Sequence, residues 1–187
     1  MKKHITTKKI VFVALLAALT TAGSYARITI PLDIAGTTSF HLGNIMCALS
    51  GILLGPWLGG LSAGLGSAIY DMFNPLYISE AWITFLTKGA YGLVAGLIAW
   101  MGKKDCGYVK SILATAAGAV TYAALYLFKS YFYGGILKQG LTHAAAWIVV
   151  IEKIPATVFN AAVALIFAPI LAVAIQKGLK RNHLSMN

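Results

Sequence analysis

Apolar runs separated by short polar breaks dominate the chain, and they predict six helices. A helix that crosses a bilayer needs about 20 mostly apolar residues, fewer when neighbours cover it. The runs place helix 1 at about Lys8 to Tyr25, helix 2 at Phe40 to Leu54 and helix 3 at Trp57 to Met72. Helix 4 is expected at Glu80 to Met101, helix 5 at Val109 to Phe132 and helix 6 at Pro155 to Gln176. Proline is tolerated in the first turn of a helix, where its missing N–H needs no partner; that sets Pro155 as a start, while Pro169 should kink or shorten helix 6. The intervening stretches 27–39, 71–80 and 134–154 read as loops.

One stretch, residues 36–75, concentrates the unusual features. Two apolar segments meet at Leu54-Gly55-Pro56-Trp57, with His41 and Asn44 before them and Asp71 and Asn74 after. Gly60, Gly64 and Ala68 form one line at spacing four, and Gly59, Ala63 and Ser67 the next. Small residues at that spacing let helix backbones approach closely in lipid. The polar ends then fall on one side of the membrane, where they either form a small-molecule pocket or serve as ordinary polar turns of two tightly packed helices.

Composition agrees with the pattern. Hydrophobic residues make up 59% of the 187 positions and charged ones 11%, against about a quarter charged in soluble domains. The mean hydropathy is +0.78. These values predict an all-α integral membrane protein, one six-helix domain over residues 1–187. The formal charge of +10 does not point to nucleic acid, because most cations sit at segment ends. Lys2, Lys3, Lys8 and Lys9, then Lys103, Lys104 and Lys110, then Lys177, Lys180 and Arg181 all fall on one side of a six-span topology. Arg27 and Lys138 fall on the other. Cytoplasmic loops carry the excess of Lys and Arg, so both termini are expected in the cytoplasm. The basic N-terminus followed by an apolar run resembles a signal peptide, but Ile10 to Ala26 is nearly long enough to span and reads as a retained helix.

Charge inside the apolar runs marks candidate function. An ionisable group at membrane depth faces a partner, a cavity or the interface. Lys88 lies too deep in helix 4 for a simple end anchor. Lys153, Thr157 and Asn160 recur on one face of helix 6, Lys129 lies near the end of helix 5, and Glu152 is a possible counter-charge for Lys153 or Lys129. Snorkelling of these lysines to the interface is the alternative. Tyr126, Tyr131, Tyr133 and Trp147 read singly as interfacial aromatics, or else as pocket walls.

Catalytic and cofactor motifs are not evident. His41 has no paired ligand at metal spacing, and Cys47 and Cys106 suggest neither a metal site nor a disulfide. The Gly59–Gly66 run lacks the Gly-Lys-Ser/Thr ending of a phosphate loop, so the chain is not expected to bind ATP in the usual way, and any active transport would need energy from elsewhere. No cofactor is expected.

A resemblance accounts for the set. The short six-helix plan, Ala14-x-x-x-Ala18 in helix 1, Gly55-Pro56-Trp57-Leu58-Gly59-Gly60, Tyr70-Asp71-Met72-Phe73-Asn74-Pro75, Lys88-Gly89 and Ile154-Pro155 together resemble the S component of an energy-coupling factor (ECF) transporter. The resemblance implies a high-affinity vitamin-binding subunit in a bacterial cell membrane, working with a transmembrane coupling subunit and two cytoplasmic ATPases. It implies that the Ala14, Ala18 and Ala22 stripe docks the coupling subunit, internal packing being the other use of such a stripe. It implies a ligand enclosed by the outward loops, and toppling of the whole subunit to release it. Thr37-Thr38-Ser39-Phe40-His41-Leu42-Gly43-Asn44 is most similar to pantothenate-type members. The candidate binding residues are His41, Asn44, Asp71, Asn74, Lys88, Lys129, Lys153 and Asn160, with a lysine for the carboxylate. Pyridoxine, riboflavin and a queuosine precursor are the other ligands considered, riboflavin calling for more stacking aromatics than the sequence assigns to a pocket. An intramembrane enzyme using His41 with Asp71, and a ligand-free adaptor, are the competing classes.

Overall fold

The computed structural model describes residues 6–102 and 106–182. Six helices run in order: α1 (Thr7–Tyr25), α2 (Gly43–Leu54), α3 (Pro56–Met72), α4 (Ala81–Trp100), α5 (Tyr108–Lys129) and α6 (His143–Arg181). The chain is an all-α membrane protein in its main architecture. Four stretches, Thr7–Tyr25, Ile78–Trp100, Tyr108–Lys138 and His143–Arg181, are long and apolar enough to cross a bilayer. α2 and α3 are shorter, at 12 and 17 residues. Lys2, Lys3, Lys103 and Lys104, part of the expected cation bias, lie outside the described residues.

α2 is the centre of the bundle. Every residue in it except Met46 is buried, and it packs on α1, α3, α4, α5 and α6. It ends at Gly55, whose φ of +79° is a left-handed conformation that suits glycine. Pro56 then opens α3 at the position where its missing N–H costs nothing. The small-residue lines behave as expected: a Cβ on Gly60 would meet the Gly89 carbonyl at 2.9 Å, and one on Gly64 the Phe85 carbonyl at 2.7 Å. These contacts bring α3 against α4 backbone to backbone, the arrangement that replaces hydrophobic driving force inside lipid.

The structure departs from the expected helices in three places. Residues read as the 27–39 loop, with Phe40 and His41 of the expected helix 2, form an antiparallel hairpin, β1 (Arg27–Leu32) and β2 (Gly36–His41), paired from Arg27↔His41 to Leu32↔Gly36, and α2 starts only at Gly43. Ile28, Thr29 and Ile30 favour strand, and Pro31 is tolerated because a two-stranded ribbon consists of edges. The second departure is α6. It begins at His143, not Pro155, and both prolines lie inside it. The apolar stretch 144–151 is helical, and Pro155 removes a single intrahelical bond, which membrane helices accommodate. The third departure is a π-helical segment, Ser130–Lys138, which takes in the expected end of helix 5 and the start of the expected 134–154 loop.

Candidate functional site

The hairpin and α3 to α6 enclose a polar cavity of about 100 Å³. β2 supplies Thr37, Thr38, Ser39 and His41 to its wall, and the start of β1 supplies Arg27. Six of the eight candidate binding residues line it: His41, Asp71, Lys88, Lys129, Lys153 and Asn160. Asn44 and Asn74 do not. Asn44 sits behind the wall, 1% exposed, and accepts a hydrogen bond from the Lys88 ammonium through Oδ1. Asn74 donates to the Tyr70 hydroxyl at 2.6 Å and so fixes an aromatic wall residue from outside the cavity.

Lys88 is the group at the floor. It is 4% exposed, its ammonium lies 3.8 Å from the Tyr122 ring centroid, and among the described residues it has no carboxylate in ion-pair contact. Burial at that level excludes simple snorkelling to the interface. Glu80 is divided between two cations, pairing with Lys129 and, at 3.1 Å, with Lys138. The expected partnership of Glu152 with Lys129 or Lys153 is therefore corrected. The Glu152 carboxylate instead accepts the Ala35 N–H at 2.8 Å and the Ile34 N–H at 3.3 Å, at the hairpin turn.

α6 holds the hairpin a second way. The Asn160 amide accepts the His41 N–H at 2.9 Å through Oδ1 and donates to the Ser39 carbonyl at 2.8 Å through Nδ2. A side chain expected to touch ligand thus also extends the hydrogen bonding of β2. Lys153, Thr157 and Asn160 share the cavity face of α6, as their spacing indicates.

The His41 side chain is not paired with Asp71. Its Nδ1 accepts the Gly43 N–H at 3.2 Å, and burial, with the charges of Lys88 and Arg27, holds its pKa well below the usual range. It is neutral at pH 7 and adds no charge to the cavity.

Of the aromatic wall, the sequence reading raised only Tyr126, as one of two alternatives, and missed the other three tyrosines. Tyr70, Tyr77, Tyr122 and Tyr126 all line the cavity. Tyr122 and Tyr126 are stacked with centroids 5.6 Å apart, a consequence of spacing four on α5. Arg27 was also missed as a site residue: its guanidinium lies 4.0 Å from the Tyr70 centroid and 5.2 Å from that of Tyr77. The sequence reading counted it only among the cations of the outer loops, while Arg-Ile-Thr-Ile-Pro carried the overlooked strand signal. Tyr131, Tyr133 and Trp147 are not in this wall.

Ala14, Ala18 and Ala22 are all exposed, on the face of α1 turned away from the bundle. Internal packing of the stripe is thereby corrected.

The family model of the ECF-type riboflavin transporter S component matches residues 4–177. A protein of Pyrococcus woesei, described as an uncharacterized protein in the gap 3′ region, is 32% identical over 114 residues, 61% of this chain and 72% of that protein. The resemblance to S components is supported at the level of the class, and the matched family is described by riboflavin, not pantothenate. The chain belongs to the ECF-type riboflavin transporter S component family, substrate-binding transporter subunits that work with an ECF membrane and ATPase module and are not enzymes.

Proposed function

We propose that the polar cavity is the substrate site of this S component and that it captures an anionic, water-soluble vitamin, with pantothenate the ligand that fits best. The observation that carries this reading is Lys88, buried and without a carboxylate partner among the described residues. A buried ammonium is expensive unless an opposite charge and hydrogen bonds accompany it. Asn44 and the Tyr122 ring give it dipoles; a ligand carboxylate gives it the missing charge. The hydroxyls and amide of pantothenate then face Thr37, Thr38, Ser39 and Asp71, which supply donors and acceptors.

Riboflavin is the second reading, favoured by the four tyrosines and by the family's description. The cavity of about 100 Å³ is smaller than the ~300–1,000 Å³ of pockets enclosing drug-sized ligands, so either vitamin needs the walls to part. A three-ring flavin requires the walls to separate more than a slender acid does.

The remaining features support one orientation. Six segments with both termini in the cytoplasm of a bacterial cell put the cavity on the outer side, and the positive-inside asymmetry supports this arrangement. The exposed Ala14, Ala18 and Ala22 are then the surface for the coupling subunit, since small side chains permit close helix approach.

Isothermal titration of pantothenate and its neutral alcohol, pantothenol, into the unmutated protein and Lys88→Met tests the reading. Removing one partner of a buried pair costs about 3–5 kcal/mol, or roughly two to three orders of magnitude in affinity. The variant should lose most of its preference for acid over alcohol. Binding of riboflavin alone, or an unchanged preference in Lys88→Met, overturns the assignment.

A further inference from the structure

The charge in the cavity exceeds what one carboxylate answers. Arg27, Lys88, Lys129 and Lys153 line it against Asp71 and Glu80. Glu80 is held by Lys129 and Lys138. Arg27 is braced differently, its Nε donating to the Ser24 carbonyl at 2.8 Å and its guanidinium resting against Tyr70 and Tyr77. That leaves two ammoniums, Lys88 and Lys153, neither of them ion-paired among the described residues. Asp71 is the one carboxylate of the lining that is not ion-paired among those residues.

The two ammoniums are related by an aromatic track. Lys88 lies 3.8 Å from the Tyr122 centroid and Lys153 lies 5.6 Å from that of Tyr126. The two rings are 5.6 Å apart and inclined by 24°. An ammonium withdrawn from water and faced by no opposite charge is penalised. A ligand with a single anionic group relieves one of the two and leaves the other.

We infer that the cavity offers a second anion subsite at Lys153 on α6, beside the one at Lys88 on the floor, so that an acid with two anionic groups laid along Tyr122 and Tyr126 binds more tightly than one with a single carboxylate. The class is a dicarboxylate, or an acid that also bears a phosphate. This rests on the reading that the cavity is the substrate site, and it narrows the chemistry from one charge to two. Pantothenate, with one carboxylate, fills only the Lys88 half.

The test uses the full chain in detergent, with the straight-chain dicarboxylates adipate, pimelate and suberate as probes, each beside its monomethyl ester at equal ionic strength. A hydrogen bond to a charged group contributes about 1.5–3 kcal/mol, so the best diacid should bind about tenfold to a hundredfold more tightly than its half-ester. Lys153→Met should bring that ratio close to one, and Lys153→Arg should preserve it, which separates lost charge from lost fold. Equal binding of diacid and half-ester by the unmutated protein overturns the second anionic group while the single-anion reading stands. A ratio that survives Lys153→Met overturns the role of Lys153. No binding by any probe overturns both.

Discussion

Glu152 ties α6 to the turn of the hairpin, and its removal has a size that follows from the geometry. The carboxylate takes the Ala35 N–H at 2.8 Å and the Ile34 N–H at 3.3 Å. A hydrogen bond to a charged group contributes about 1.5–3 kcal/mol. The Ala35 bond is short and earns that range, whereas the Ile34 bond is at the long edge of hydrogen bonding. Both N–H groups can be rehydrated once the turn lifts, so no orphaned-donor penalty is added. Glu152→Ala should therefore favour hairpin opening by about 2 kcal/mol, roughly 30-fold in the open population. Glu152→Gln keeps an acceptor of similar length without the charge, and neutral bonds are about half as strong. It should give about 1 kcal/mol, roughly fivefold. Hydrogen exchange on peptides covering 27–41, with an α4 peptide as internal control, reads this directly. Faster exchange graded Ala, then Gln, then the unmutated chain is the expected order. Unchanged exchange in the hairpin of Glu152→Ala, or equal acceleration in α4, refutes the tie. Ligand dissociation should accelerate in the same order, because Thr37, Thr38, Ser39 and His41 of that hairpin wall the cavity.

Three further outcomes are expected. His41 has a depressed pKa in the fold, so the unfolded chain binds more protons below its ordinary value of about 6.5. Stability should then fall as pH drops from 7 to 5, by up to about 2 kcal/mol from this group; His41→Gln should flatten that part of a denaturation profile, and an unchanged slope refutes the assignment. Ala18→Trp should abolish uptake in cells that contain the ECF module while ligand binding to the isolated subunit persists; equal loss of both would mean the residue supports the fold. Cysteine labelling of intact cells should modify Lys138→Cys and spare Asp105→Cys, and the reverse pattern rejects cytoplasmic termini.

The helices were legible because apolar runs of the right length leave few other structures in lipid. Lys88 was legible for the same reason: a cation deep in such a run is conspicuous. The hairpin was not, since Pro31 and Asp33 interrupt a short strand pattern that only becomes meaningful when Glu152 and Asn160 hold it from α6. The start of α6 was obscured by Glu152, Lys153 and Pro155 in succession, which read as a loop ending although the helix passes through them. Asn44 and Asn74 were recognisable as polar groups near the site, but only packing shows that each acts on a wall residue, Lys88 or Tyr70. The tyrosines failed singly; Tyr122 and Tyr126 gain meaning as a stacked pair facing two lysines.

The shortness of α2 has an electrical consequence. Its 12 residues span ~18 Å, against a hydrocarbon core of about 30 Å. In the proposed orientation the hairpin and cavity fill the remainder, which sets the Lys88 floor up to about 12 Å below the outer boundary. A charge carried across the full membrane potential changes energy by about 2.3 kcal/mol per 100 mV, and about two fifths of that path gives ~0.9 kcal/mol per ligand charge. In a cell with a negative interior, an anion entering from outside works against this field. Its apparent affinity should weaken about fivefold per charge per 100 mV, which makes vitamin capture by this subunit sensitive to how strongly the membrane is energised.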